Sequence, residues 1–212
     1  KLFAPVADRL LYITDGGTVV RTPKETLKVD TMPDEIWKGM LSMVHESLPS
    51  CDYYIATPDR GFAEDGGSRM FHWLRDSYGY DMQEISDARI LDDQQIIKFS
   101  VYHPNACEEL CAPVFTPAWK DKVTLVSAGK EWMDATLQGS GKGPALAFLQ
   151  KYLGIAPDET CAFGDNINDI EMLREAGFSY AVSNSRPEVQ AAAKDTCPPY
   201  WENGVLQVLK TF

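Results

Sequence analysis

Apolar positions change period several times along the chain, and each change predicts an element. Over residues 33–48 they recur at Ile36, Met40, Met43, Val44 and Leu48, the spacing of one helix face. Pro33 stands in the first turn there, with Asp34 and Glu35 near the positive end of the dipole. Residues 68–78, closed by Gly79, predict a second helix, and residues 106–110 a short third that stops before Pro113. Runs at 52–57 and 61–64 predict strands, and 95–102 alternates as a strand with one wet face. Residues 123–128 and 131–137 flank Gly129-Lys130 as a hairpin, while 18–21 and 27–30 flank Thr22-Pro-Lys-Glu as another. A short apolar run at 10–13 predicts a buried strand. The middle of the chain therefore predicts an open sheet with helices on one face.

The last third has a different pattern. Cys161-Ala-Phe-Gly-Asp-Asn-Ile-Asn-Asp-Ile170 is an apolar run that ends in Gly164 and then presents two carboxylates and two amides. A short strand followed by glycine delivers polar side chains to the carboxyl edge of an α/β sheet, where open sheets bind ligands. Asp165 leaves the strand first; Asn168 and Asp169 follow at the start of a helix that Gly177 stops. Hard oxygen ligands at a helix start suit a small cation with a phosphate beside it. Asp165 as a plain helix cap is the other reading of the same residues. Upstream, Gly139-Ser-Gly-Lys142-Gly-Pro leads into a helix with apolar residues at Leu146, Leu149, Tyr152 and Leu153, closed by Gly154. Lys142 stands where the helix dipole disfavours a cation, and a nearby anion would explain it.

Ser140-Gly-Lys-Gly143, a helix, a strand and Gly164-Asp-Asn-Ile-Asn-Asp169 together resemble the haloacid dehalogenase superfamily of phosphohydrolases, most nearly its Cof-like branch with an α/β cap. Tyr180-Ala-Val-Ser-Asn-Ser-Arg-Pro-Glu-Val189 and Trp201-Glu-Asn-Gly-Val-Leu206 continue that pattern, which is specific over 132–212. The resemblance implies a parallel-sheet α/β core, with residues 1–32 and 138–212 in the core and 33–137 as an inserted cap. It implies that Lys142 steadies the phosphoryl group, that Asp169 orients Lys142, and that Asn168 and Asn184 touch the substrate. Asp165, with Asp169, would hold Mg²⁺. The implied activity is Mg²⁺-dependent hydrolysis of a small phosphorylated metabolite through an aspartyl-phosphate. A phosphomutase and a non-catalytic phosphate or nucleotide sensor are the rival readings.

Two upstream stretches imitate the family's first motifs. Ile13-Thr-Asp-Gly-Gly-Thr18 looks like the nucleophile loop, but register on Gly17 and Thr18 puts Thr14 and Gly16 where the two aspartates belong. Asp15 then falls between them, facing the other way. Tyr54-Ile-Ala-Thr-Pro-Asp-Arg60 likewise imitates the Ser/Thr motif. The expectation is a chain shortened at its N-terminus, lacking its nucleophile and inactive alone, with a sheet edge that a second copy could cover as a homodimer.

Composition narrows the partners. With 20 Lys and Arg against 31 Asp and Glu, the net charge of -11 argues against nucleic acid or an anionic membrane. No apolar run approaches a membrane span. Five cysteines without zinc-type pairing predict buried thiols of a cytoplasmic protein. His45, His72 and His103 lie in three different elements without ligand spacing, and the polar run Asp59, Arg60, Glu64 and Asp65 is a candidate substrate-facing loop.

Overall fold

The computed structural model describes residues 3–212, which divide into two compact units, one through Ser140 and one from Gly141 on. In the first unit, β1 (Tyr12–Thr14), β2 (Val19–Arg21) and β3 (Thr26–Val29) form a small antiparallel sheet in that order. The turn between β2 and β3 is tied by Thr22 Oγ1, which accepts from the amides of Lys24 and Glu25. Helix α1 (Asp34–Ser47) follows, then β4 (Asp52–Ala56) and β5 (Gly61–Ala63). Ser68 caps α2 (Arg69–His72) through a bond from the Phe71 amide, and the chain continues as a wider π turn over Trp73–Ser77. Next come β6 (Met82–Glu84), β7 (Lys98–Tyr102), α3 (Cys107–Trp119), β8 (Val123–Ala128) and β9 (Trp132–Leu137).

Six of these strands build one sheet in the order β6-β5-β4-β7-β9-β8, antiparallel except between β5 and β6. Helices α1 and α3 cover one face, where Trp37, Met40, Phe99, Val101 and Phe115 are buried together. The other face is not open, as the sequence pattern suggested. Val19 of β2, Met70 and Phe71 of α2, and Tyr54, Ile97 and Tyr102 form a second buried cluster there. For that reason β7 shows no wet face: all five of its residues are buried, Lys98 and Ser100 included.

Helix α3 also departs from expectation, because it runs through Pro113 and Pro117 to Trp119. Each interior proline removes one backbone bond and costs about 3 kcal/mol. Against that, Cys107, Cys111 and Phe115 recur on one face, all fully buried, and a helix ending at Leu110 would leave Cys111 and Phe115 unplaced. Packing prevails over local propensity here.

The second unit alternates helix and strand. It contains α4 (Lys142–Leu153), β10 (Cys161–Gly164), α5 (Ile170–Glu175), β11 (Phe178–Val182), α6 (Pro187–Ala192), β12 (Asp195–Cys197) and α7 (Gly204–Leu209). Strands β10, β11 and β12 are parallel neighbours, with Gly164 opposite Ala181. Leu173, Ala176, Ala181 and Val189 form their core with Ala162. Parallel register sends the loops after β10 and β11 off the same edge of the sheet. No helix of the described residues is long and apolar enough to cross a membrane.

Candidate active site

The site is built at the start of two helices by two close approaches that only glycine permits. Gly143, in the first turn of α4, lies so near α5 that a Cβ there would stand 2.5 Å from Glu171 Cβ. Gly164, the last residue of β10, would carry a Cβ 2.6 Å from Asp169 Cβ. The first approach seats the beginning of α4 on the beginning of α5. The second lets Asp169 fold back beneath the loop that leaves the strand.

Asp169 is 3% exposed and accepts hydrogen bonds on both oxygens. Its Oδ2 accepts from the amides of Asp165 and Asn166, both at 3.0 Å, and its Oδ1 accepts from Lys142 Nζ at 2.6 Å. Burial alone would raise its pKa. The Lys142 ammonium and the two amides outweigh burial and hold it below the usual carboxylate range. Lys142 Nζ also reaches Asn168 Oδ1 at 3.5 Å. Its side chain keeps 31% of its exposure, so the ammonium is fixed by Asp169 while remaining open to a ligand.

Asp165 does not cap the helix. That part is taken by Asn166, whose Oδ1 accepts from the Ile167 amide while Asp169 closes the reciprocal bond to the Asn166 amide. Asp165 is exposed, and among the described residues its carboxylate takes part in no salt bridge. Asn184 is exposed in the loop after β11, at the same sheet edge, where Gln190 Nε2 fixes the loop by donating to the carbonyls of Ser183 and Ser185. The structure thus joins Lys142, Asn168 and Asp169 in one bonded group. Asp165 lies at the loop's start, and Asn184 stands apart on the neighbouring strand's loop. Asn166 was not anticipated, although Asn followed three residues later by Asp is a capping signal.

Among the described residues no three His, Cys, Asp or Glu side chains gather as a metal centre. Asp169 already accepts three hydrogen bonds, whereas Asp165 presents an exposed carboxylate. One carboxylate beside a phosphate fits Mg²⁺, which keeps several waters and takes one or two protein oxygens.

The other candidates serve structure. Arg60 pairs with Asp81 at 3.2 Å and donates to Gln83, Glu64 Oε1 accepts from the Ala88 amide, and Asp65 Oδ1 accepts from Gly67. His45 meets Glu64 at 3.2 Å, His72 meets Asp76, and His103 Nδ1 accepts from Ala106 at the start of α3. All five cysteines are free, with Cys107, Cys111 and Cys197 buried.

Comparison with known proteins finds relatives over nearly the whole chain. The model of the haloacid dehalogenase-like hydrolase family matches residues 2–209. A 5-amino-6-(5-phospho-D-ribitylamino)uracil phosphatase of Escherichia coli is 29% identical over 216 residues, covering 99% of this chain and 76% of that protein. A crystal structure from Eubacterium rectale is 63% identical with a TM-score of 0.92, covering 99% of this chain and 79% of that one. The structure of a subclass IIB sugar phosphatase of the same superfamily superposes with a TM-score of 0.81 at 21% identity, over 99% of this chain and 79% of that one.

Proposed function

Because the chain belongs to the haloacid dehalogenase-like hydrolase family, we propose that this protein is a Mg²⁺-dependent phosphatase of small phosphorylated metabolites. The observation that carries the reading is the Lys142 ammonium held at 2.6 Å by a buried Asp169 while staying partly open. An ammonium so fixed is preorganised for the negative charge on phosphoryl oxygens, and it loses nothing to reorientation as the charge develops. Asn168 and Asn184 supply amides to the phosphate from two loops of one sheet edge. Asp165 would hold the Mg²⁺, which would supply charge neutralisation at the phosphoryl oxygens.

In this reading a carboxylate attacks phosphorus, the bond from phosphorus to the ester oxygen breaks, and water then releases phosphate from the acyl phosphate. The attacking carboxylate is assigned to no residue of this chain. Residues 33–137 act as the cap and residues 1–32 belong with 138–212 as the core. Small-metabolite substrates are supported by the phosphatases the chain resembles, whose names specify a phosphoribityl aminouracil and a sugar phosphate.

The test is phosphate binding followed by phosphorus NMR, with and without Mg²⁺. Lys142→Ala and Asp165→Asn should each weaken phosphate binding about tenfold or more. Binding unchanged in both variants would reject the assignment.

A further inference from the structure

Two large aromatic side chains stand in solvent on the loop that follows β12. Tyr200 is 71% exposed and Trp201 61%, although rings of this size are ordinarily taken largely into a core. The loop that carries them is not loose. Pro198 and Pro199 fix two backbone angles at its base, and a tight helical turn covers Tyr200–Glu202, with the Glu202 amide donating to the Pro199 carbonyl and the Asn203 amide to the Tyr200 carbonyl, both at 3.0 Å. Gln207 Nε2 donates to the Glu202 carbonyl at 2.8 Å. A Cβ on Gly204 would stand 1.8 Å from the Pro198 carbonyl oxygen, so the start of α7 is pressed against the loop's base. The two rings are therefore displayed from a braced turn.

Their place in the sheet gives that display a use. Strand β12 is parallel to β11, with Cys197 opposite Val182, so its loop leaves the same edge as the loops that carry Asn168 and Asn184. The Ser183 amide donates to the Cys197 carbonyl at 2.9 Å, so Asn184 and the turn from Pro198 to Trp201 spring from bonded neighbours. Strands lie about 4.8 Å apart, so the loops after β10 and β12 leave the sheet about 10 Å from one another. A zigzag of six or seven bonds of about 1.5 Å each spans roughly that interval.

The two ring centroids are 5.0 Å apart and their planes meet at 80°. A perpendicular pair forms a corner in which a third planar ring lies flat on one partner and edge-on to the other, the two arrangements that aromatic rings favour. Between Pro198 and Asn203 there is no Lys or Arg, and Glu202 is the single charge, so the corner suits an uncharged ring rather than a second phosphate.

We propose that Tyr200 and Trp201 are specificity residues that receive a planar ring at the far end of the substrate, so that the substrate class is a phosphomonoester of a five-carbon sugar or polyol bearing a planar heterocycle. The proposal rests on the phosphate-binding role given to Lys142, Asn168 and Asn184; the aromatic pair touches no reacting atom. Calorimetric titration with uridine 5′-phosphate and with ribose 5-phosphate, which differ by the ring alone, tests it, and inorganic phosphate reports the anion site separately. The parent protein should bind the uridine ester about tenfold more tightly than the ribose ester. The double variant Tyr200→Ala with Trp201→Ala should lose that preference while its affinity for ribose 5-phosphate and for phosphate stays unchanged, and Trp201→Phe should keep most of it. Lys142→Ala should weaken both esters alike. Phosphate binding without a ring preference, or a preference that survives the double variant, overturns this proposal and leaves the phosphate site standing. Binding of neither ester nor phosphate overturns both. If the pair instead joins two copies of the chain, no ring preference is seen and sedimentation shows a dimer that the double variant dissociates, which also overturns the proposal.

Discussion

Each unit holds a lysine that faces carboxylate, and the two arrangements are opposites. Lys142 is closed onto Asp169 at 2.6 Å, and that carboxylate accepts from two further amides. Lys98 is more deeply buried yet stands about an ångström outside hydrogen-bond range of Asp15 and Asp134. The first arrangement is self-sufficient and leaves the outer side of the ammonium for a ligand. The second is looser, with the ammonium beside the Tyr54 ring and both carboxylates at the edge of ion-pair range. The contrast shows that depth of burial does not measure how tightly an ion pair is made; the anchoring of the carboxylate does.

The largest effect should come from Asp169→Ala. It strips the Asp165 and Asn166 amides of their acceptor and leaves Lys142 without its partner, so unfolding in urea should show a loss of about 3 kcal/mol. Lys142→Ala leaves Asp169 its two amides and should cost less, about 1–2 kcal/mol in the same measurement. If the two variants cost the same, the amides contribute nothing and the locked description of this pair fails.

Acid separates the sites next. The folded-state pKa of Asp169 is lowered, so its contribution is complete above the ordinary value of 3.8 and is lost as pH falls through the lower, folded value. Stability of the parent protein should therefore decline more steeply than that of Asp169→Asn as pH falls below 3.8. Parallel profiles would show that the carboxylate is not held below its usual range.

The smaller effects belong to the first unit. Ser100→Ala removes one bond to a charged, third-exposed carboxylate and should cost about 1 kcal/mol. Lys98→Met should change stability by less than about 1 kcal/mol, because a cation that makes no direct bond to its counter-ions has little to lose. A loss as large as that in Asp169→Ala would mean that Lys98 is a structural ion pair, and the comparison would collapse.

Residues 139–170 were legible because each step of their argument is local. A glycine-flanked lysine opening a helix, and a strand ending in Gly-Asp-Asn-Ile-Asn-Asp, carry their own geometry, and both glycines prove to be contact points rather than mere turns. The wet-faced reading of 95–102 failed because alternation reports polarity and not what lies above the sheet. Lys98 and Ser100 are polar and buried together, covered by elements more than twenty residues away in sequence. Pro113 misled for a related reason, since the local rule that ends helices at proline has no knowledge of the core receiving Cys111 and Phe115.

The sequence by itself determined the alternation of helix and strand in the last third, the lysine and the aspartates at helix starts, and the family that these residues resemble. Period, glycine placement and capping chemistry act within a few residues and are written in order along the chain. Only the tertiary structure decided that Asp169 bonds Lys142 and the loop through both oxygens, and that Asp15, Lys98 and Asp134, from three separate elements, face one another. Distances between side chains far apart in sequence depend on packing, and no spacing in the chain encodes them.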